Sequence, residues 1–224
     1  MTWNPFAKPK PTPLTDVLAK MTAAHIAKEL AEPPEDHAVL GRVIAFRTMM
    51  AASHYLDGFR EFRVKVPDLD LIAFETLAFT GYAIRDAYNP MPRLGHPDSD
   101  EQEDAYERLY DADVSGSFKL ATAICTSLAE RTTGWTDLIE VTNRRQMHYG
   151  MAKTEDEMFT RFLDVIRDCQ TASSPMVRYD QALPLDQKTN EKLTIMSIGY
   201  ATMMIPPQAR EIDKVIEEYG FRAP

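Results

Sequence analysis

The apolar positions of this chain recur at helical spacing along most of its length and predict eight or nine helices with almost no sheet. Leu14, Leu18, Met21 and His25 fall at i, i+4, i+7 and i+11, one face of a first helix expected over about 15–31. Thr15 is a good N-cap type for it, and Pro33-Pro34 stops it. A second helix is expected over about 35–60. Val39, Val43, Phe46 and Met50 make its stripe, which Leu40, Ile44, Ala51 and Tyr55 widen. A third, over 68–88, is apolar nearly all round, with Glu75 the sole charge between Leu71 and Ile84. A helix apolar on every face is a buried one, so the second and third helices are expected at the centre of the fold.

Past a Pro-rich stretch at 89–97, Ser99-x-x-Gln102 reads as a capping box opening a fourth helix to about Asp111, with a thin stripe of Ala105, Tyr106, Leu109 and Tyr110. A fifth helix, over about 114–131, turns Phe118, Ala121, Cys125 and Leu128 inward and ends at Gly134. A sixth opens at Trp135-Thr136 and reaches Gly150, placed as a C-terminal cap. Thr154-x-x-Glu157 is a second capping box. It opens a seventh helix with Met158, Phe159, Phe162, Leu163, Ile166 and Cys169 on one face. An eighth runs over about 187–205 and breaks at Pro206-Pro207, and a ninth closes at Gly220. The run 62–66 alternates with period two, 176–179 is a second short β-prone run, and one two-stranded ribbon between them is the single β element expected. The fold class is all-α, a single-domain multi-helix bundle over 14–224 preceded by an extended Pro-rich arm at 1–13. That arm holds Pro5, Pro9, Pro11 and Pro13, which lock φ, together with Trp3 and Phe6.

Charge divides the surface. The net charge is −9, and the stretch 98–113 alone carries −7, with eight acids against Arg108. The first 31 residues carry +2. So acidic a body repels phosphate backbones and argues against nucleic acid as a partner. The longest apolar stretch, 69–84, is interrupted by Asp70 and Glu75, and 1–13 has no apolar core of a secretory signal, so neither insertion into a membrane nor export is expected. Cys125 and Cys169 are no disulfide framework and read as reduced core thiols of a cytoplasmic protein.

No catalytic motif of strong specificity is present: no Gly-rich phosphate loop, HExxH, Cys/His zinc spacing or Glu-x-x-His pair. No metal or other cofactor is expected. The chemistry that remains is a set of candidate groups. His54 and Asp57, three apart on the second helix, share a face, and Glu75 interrupts the third. Converging, they would give a general base or an incomplete metal set. The bland alternative is a hydrogen-bonded core histidine, a solvated Asp57, and Glu75 paired with an arginine such as Arg47. Arg144, Arg145 and His148 near the end of the sixth helix suit either a helix C-terminus or an anion site. Met49, Met50, Met147, Met151, Met196, Met203 and Met204 suit core filling or an adaptable binding surface. Trp3 and Phe6, on a stiff backbone, suit docking into a partner's groove.

The leading expectation is a non-enzymatic interaction or regulatory protein. It would use the aromatic arm and the charge-segregated surfaces to bind a protein partner and copies of itself. Two alternatives stand beside it: an all-α enzyme, metal-dependent or not, built on His54, Asp57 and Glu75, and a helical sensor that takes a small apolar ligand into its interior.

Overall fold

The computed structural model describes residues 13–29, 37–65, 68–88, 112–169, 175 and 186–219. Among the described residues stand nine helices and no strand: α1 (Leu14–Leu18), α2 (Ala23–Glu29), α3 (His37–Glu61), α4 (Leu69–Tyr88), α5 (Ala112–Thr133), α6 (Leu138–Gly150), α7 (Glu155–Asp168), α8 (Gln187–Met203) and α9 (Ile205–Tyr219). The protein is an all-α multi-helix bundle. None of the described helices is long and apolar enough to cross a membrane. Trp3 and Phe6, the loop 89–97, the acidic segment up to Asp111 and the β-prone run 176–179 lie outside the described residues.

The centre is α4. Ten consecutive residues, Leu71 to Thr80, are buried, and α1, α3, α5, α6, α7 and α9 all pack against this helix. Burying each large side chain here (Leu71, Ile72, Phe74, Leu77, Phe79, Ile84) contributes roughly 1.5–3 kcal/mol. Phe79 stacks on Phe162 of α7 at 3.9 Å, and Tyr149 of α6 meets it edge-on at 5.2 Å. On the far side of Phe162, Tyr55 of α3 joins the cluster and extends it to Tyr200 of α8. Two buried phenols of this cluster are paired: Tyr55 with Ser197 at 2.9 Å, Tyr200 with Thr80 at 2.6 Å. The most extensive helix pairing is α3 with α5. It closes tightly at Gly41, where a Cβ would stand 2.7 Å from Leu120 Cδ2 and 3.0 Å from its Cβ.

Four local features depart from what periodicity predicts. The first predicted helix is two helices, α1 and α2, separated by a turn. Within that turn the Thr22 N–H donates to His25 Nδ1 at 3.2 Å, and this starts a new helix in a new register. Ile26 is consequently the buried residue of α2, and His25 is exposed. Thr15 is not the N-cap of α1. It lies inside the first turn, buried, and its N–H (3.0 Å) and hydroxyl (3.2 Å) both donate to Asp70 Oδ1, a cap supplied by α4. Gly150 is not a left-handed cap but the last residue of α6. There, the missing side chain lets the Tyr82 hydroxyl come within 3.4 Å of where a Cβ would be. Finally, Phe62, Arg63 and Val64 form no strand. They close α3: Arg63 N–H donates to Arg60 O (3.2 Å) and Val64 N–H to Phe59 O (2.9 Å). This is the bonding of a Schellman motif, with Val64 and Phe59 both buried. Gly134, at φ 76°, ends α5 as predicted, and Thr154 caps α7 by accepting from Glu157 N–H at 3.1 Å. Pro206 and Pro207 sit in the first turn of α9, where no N–H is needed. The sixth predicted helix opens at Leu138, after Asp137 at φ 60°, rather than at Trp135-Thr136, and the ends placed at Pro33-Pro34, Ser99 and Gly220 lie outside the described residues.

Arg63 occupies the left-handed position of that motif at φ 54°, where glycine is favoured and a Cβ is strained. Its side chain is exposed. Arg63→Gly is expected to raise the unfolding free energy by about 1 kcal/mol, seen as a higher urea midpoint at unchanged slope.

Candidate functional site

The site is built where α4 meets the hairpin of α5 and α6. Glu75 is fully buried in α4 and needs a counter-charge. It comes from α6: Arg145 Nε donates to Glu75 Oε2 at 2.8 Å and Nη2 to Oε1 at 3.0 Å, a two-bond fork. One turn further along α6, Tyr149 is buried with its hydroxyl unpartnered among the described residues. Burial first, and then the Glu75 carboxylate, push its phenol well above the usual tyrosine range. Such a pair adds little net stability over apolar packing, but it fixes which residue of α6 faces α4.

That register sets the next residues. Phe74 and Gln146, the neighbours of Glu75 and Arg145, line a cavity between α3, α4, α5 and α6. Its apolar body comes from Ile44, Leu77, Ala78, Phe118 and Ala121 besides Phe74. One edge is polar. Gln146 Nε2 reaches Thr122 Oγ1 at 3.5 Å, and Thr142 Oγ1 reaches Thr126 Oγ1 at 3.5 Å, two rungs that show α5 and α6 antiparallel. Gly81, Thr122 and Gln146 are half-buried and form the mouth, while Thr48, Cys125, Thr126 and Thr142 lie buried behind them. The cavity open to a water molecule's centre is about 20 Å³, room for about one water, so larger occupants require the walls to part. No charged residue stands among the described walls. The Cys125 thiol, pushed up to about 12 by burial, stays protonated and donates to Ala45 O at 3.9 Å.

The structure distributes the candidate residues of the sequence differently. His54 is exposed on α3, Asp57 bonds Arg60 in solvent at 3.3 Å, and Glu75 is interior, so these three are not brought together. No group of three His, Cys, Asp or Glu suited to a metal occurs among the described residues. The partner of Glu75 is Arg145, not Arg47. Arg47 is taken by α9 instead, through Gln208 at 3.1 Å and Glu211 at 3.7 Å. Arg144, Arg145 and His148 diverge as well. Arg144 is exposed beside Glu140, Arg145 points inward, and His148 lies against Arg161 of α7. Burial and the charges of Arg161 and Arg145 lower the pKa of His148. Met49 and Met196 fill the core, whereas Met147, Met151 and Met203 are exposed. Sequence reasoning missed the threonine–glutamine edge. Its only trace is the i, i+4 spacing of Thr122 and Thr126 on α5 and of Thr142 and Gln146 on α6.

Comparison with protein-family models, curated proteins and solved structures finds no match to this chain.

Two outcomes follow from this geometry. Arg145→Leu takes the guanidinium away from a carboxylate with no solvent access and is expected to cost about 3–5 kcal/mol. Glu75→Leu combined with Arg145→Leu costs less than Arg145→Leu alone, because no buried charge is left. Urea unfolding of the two variants checks this, and a double variant that loses as much as Arg145→Leu alone would contradict it. Acid is expected to destabilise the protein in two steps. His148, with its folded pKa lowered, favours the neutral form, so its contribution is full above the ordinary value of 6.5 and fades as pH falls below it. Glu157, Asp186 and Glu211 are also lowered, by hydrogen bonds from Lys153 N–H, Thr189 and Lys214 respectively. Their contribution is present above their ordinary values and is lost in the more acid range. Thermal melts from pH 7.5 to 3 read both steps, and His148→Gln removes the first.

Proposed function

We propose that this is a non-enzymatic, regulatory helical protein that binds a small, largely apolar molecule in the cavity between α3, α4, α5 and α6. The cavity carries this reading: apolar walls on three helices and a short hydrogen-bonding edge on the α5–α6 hairpin, the composition of a ligand site rather than of a plain packing gap. Binding is favoured over catalysis because the described walls offer no carboxylate, imidazole or ammonium, and their one thiol is held protonated. A ligand that parts α5 and α6 from α4 changes the outer surface of the hairpin, where Ile139, Met147 and Met151 are exposed. That links an interior ligand to an exterior readout.

Gly81 gives the test. It sits at the mouth, and a Cβ there would meet nothing closer than Thr48 Cγ2 at 3.8 Å. Gly81→Ala is therefore expected to keep the fold and to gain up to about 1 kcal/mol of helix propensity, while its methyl narrows the mouth. A panel of small neutral aromatics, followed by ¹³C-methyl NMR, is expected to give saturable shifts at Ile44, Leu77 and Ala121 in the natural chain and to bind more weakly to Gly81→Ala. Binding that is unchanged in that variant, or shifts that fail to saturate in the natural chain, would overturn the reading.

A further inference from the structure

The hydrogen-bond inventory of the cavity says which molecule fits it. Three of its threonines have already spent their hydroxyl protons on their own helices: Thr48 donates to Ile44 O at 2.9 Å, Thr122 to Phe118 O at 3.0 Å and Thr126 to Thr122 O at 2.7 Å. This is the usual back-bonding of a threonine inside a helix. It leaves each hydroxyl oxygen able to accept but unable to donate. Because the Thr126 proton is committed, Thr142 must be the donor in the 3.5 Å contact between them. Gln146, at the mouth, donates one amide proton to Thr122 and keeps its second amide proton and its carbonyl oxygen for further partners. Acceptors therefore outnumber uncommitted donors along the whole polar edge, most of all in its buried part, at Thr48, Thr126 and Thr142.

We infer that the ligand of this cavity is a neutral molecule with an apolar body and one O–H or N–H group that donates to the threonine edge. The inference rests on the pocket reading above. A hydrocarbon leaves the acceptors without a proton, and a ketone or aldehyde finds one donor, the second Gln146 proton at the mouth, while it sets its oxygen against the buried acceptors of Thr48, Thr126 and Thr142. A carboxylate brings a charge into walls that hold no cation, at a cost that a single hydrogen bond does not offset. An alcohol, phenol or primary amide meets both parts of the site.

Four molecules of one size separate these possibilities: benzyl alcohol, benzaldehyde, toluene and benzoate, titrated into the full chain and followed at the methyls of Ile44, Leu77, Ala78 and Ala121. Benzyl alcohol is expected to bind about threefold to tenfold more tightly than benzaldehyde or toluene, the worth of one net hydrogen bond. Benzoate is expected to produce no saturable shift. Thr126→Val, which keeps the shape and removes one acceptor, is expected to shrink the advantage of the alcohol; should that variant fold poorly, Thr142→Val tests the same edge. Equal affinity for the three neutral molecules, or binding of benzoate as tight as that of the alcohol, would overturn the ligand class and leave the pocket standing. Silence of the pocket methyls toward all four would overturn the pocket itself.

Discussion

A helix that is apolar on every face has no stable place except the middle of something, and α4 imposes that constraint on this protein. Ten residues in a row without solvent access demand neighbours all round, and six other helices supply them. Two of its acidic side chains, Asp70 and Glu75, then become instructions rather than faults. Asp70, at its first turn, takes two hydrogen bonds from Thr15 and so decides where α1 begins. Glu75, fully interior, accepts the fork of Arg145 and so decides how α6 is rotated about its own axis. Breaking a buried charge pair is far more costly than never having had one, and this makes such a pair a device for register more than for stability.

The cavity is a consequence of that arrangement combined with small side chains. Where α4 faces α5 it presents Ala78 and Gly81, and α5 answers with Ala121. Larger residues at these three positions would close the gap by ordinary packing. The polar edge follows from the rotation that Arg145 imposes, since the same turn of α6 that sends Arg145 to Glu75 brings Thr142 and Gln146 to the seam with Thr126 and Thr122. The structural core and the candidate site therefore share one cause. The site also sits beside a rigid anchor: the walls on α4 are held from behind by the stacked rings of Phe79, Phe162 and Tyr149, so any parting of the slot is expected on the α5–α6 side.

Much of the fold was legible because helices announce themselves by period. The boundaries of α3, α4, α5 and α7 follow from apolar spacing, from Thr154 as a cap and from Gly134 as a stop, all of which are local properties. What was illegible depends on residues distant in sequence. That Thr15 is capped from α4 rather than acting as a cap is set 55 residues away, and the partner of Glu75 lies 70 residues away. The choice of Arg145 over Arg47 has no local signature, because each is one arginine among others on a helix that could face Glu75. The break between α1 and α2 depends on a histidine side chain bonding backwards to Thr22, which period-based reading counts as one more residue on a stripe. The cavity was hidden for a similar reason. Alanines, glycines and threonines in a helix read as filler, and only the facing helix shows whether they leave space. His54 and Asp57 illustrate the converse: local spacing put them on one face, but nothing local says that this part of the face meets solvent.

Native-state hydrogen exchange tests the central role of α4 most directly. If α4 is the element that all others enclose, the amides of Ile72 to Ala83 exchange only through global unfolding, with opening free energies equal to that of the whole protein, while the Phe118 to Thr126 segment of α5 opens at lower energy. Exchange of the α4 amides through a partial opening that leaves α3 and α5 protected would contradict the account.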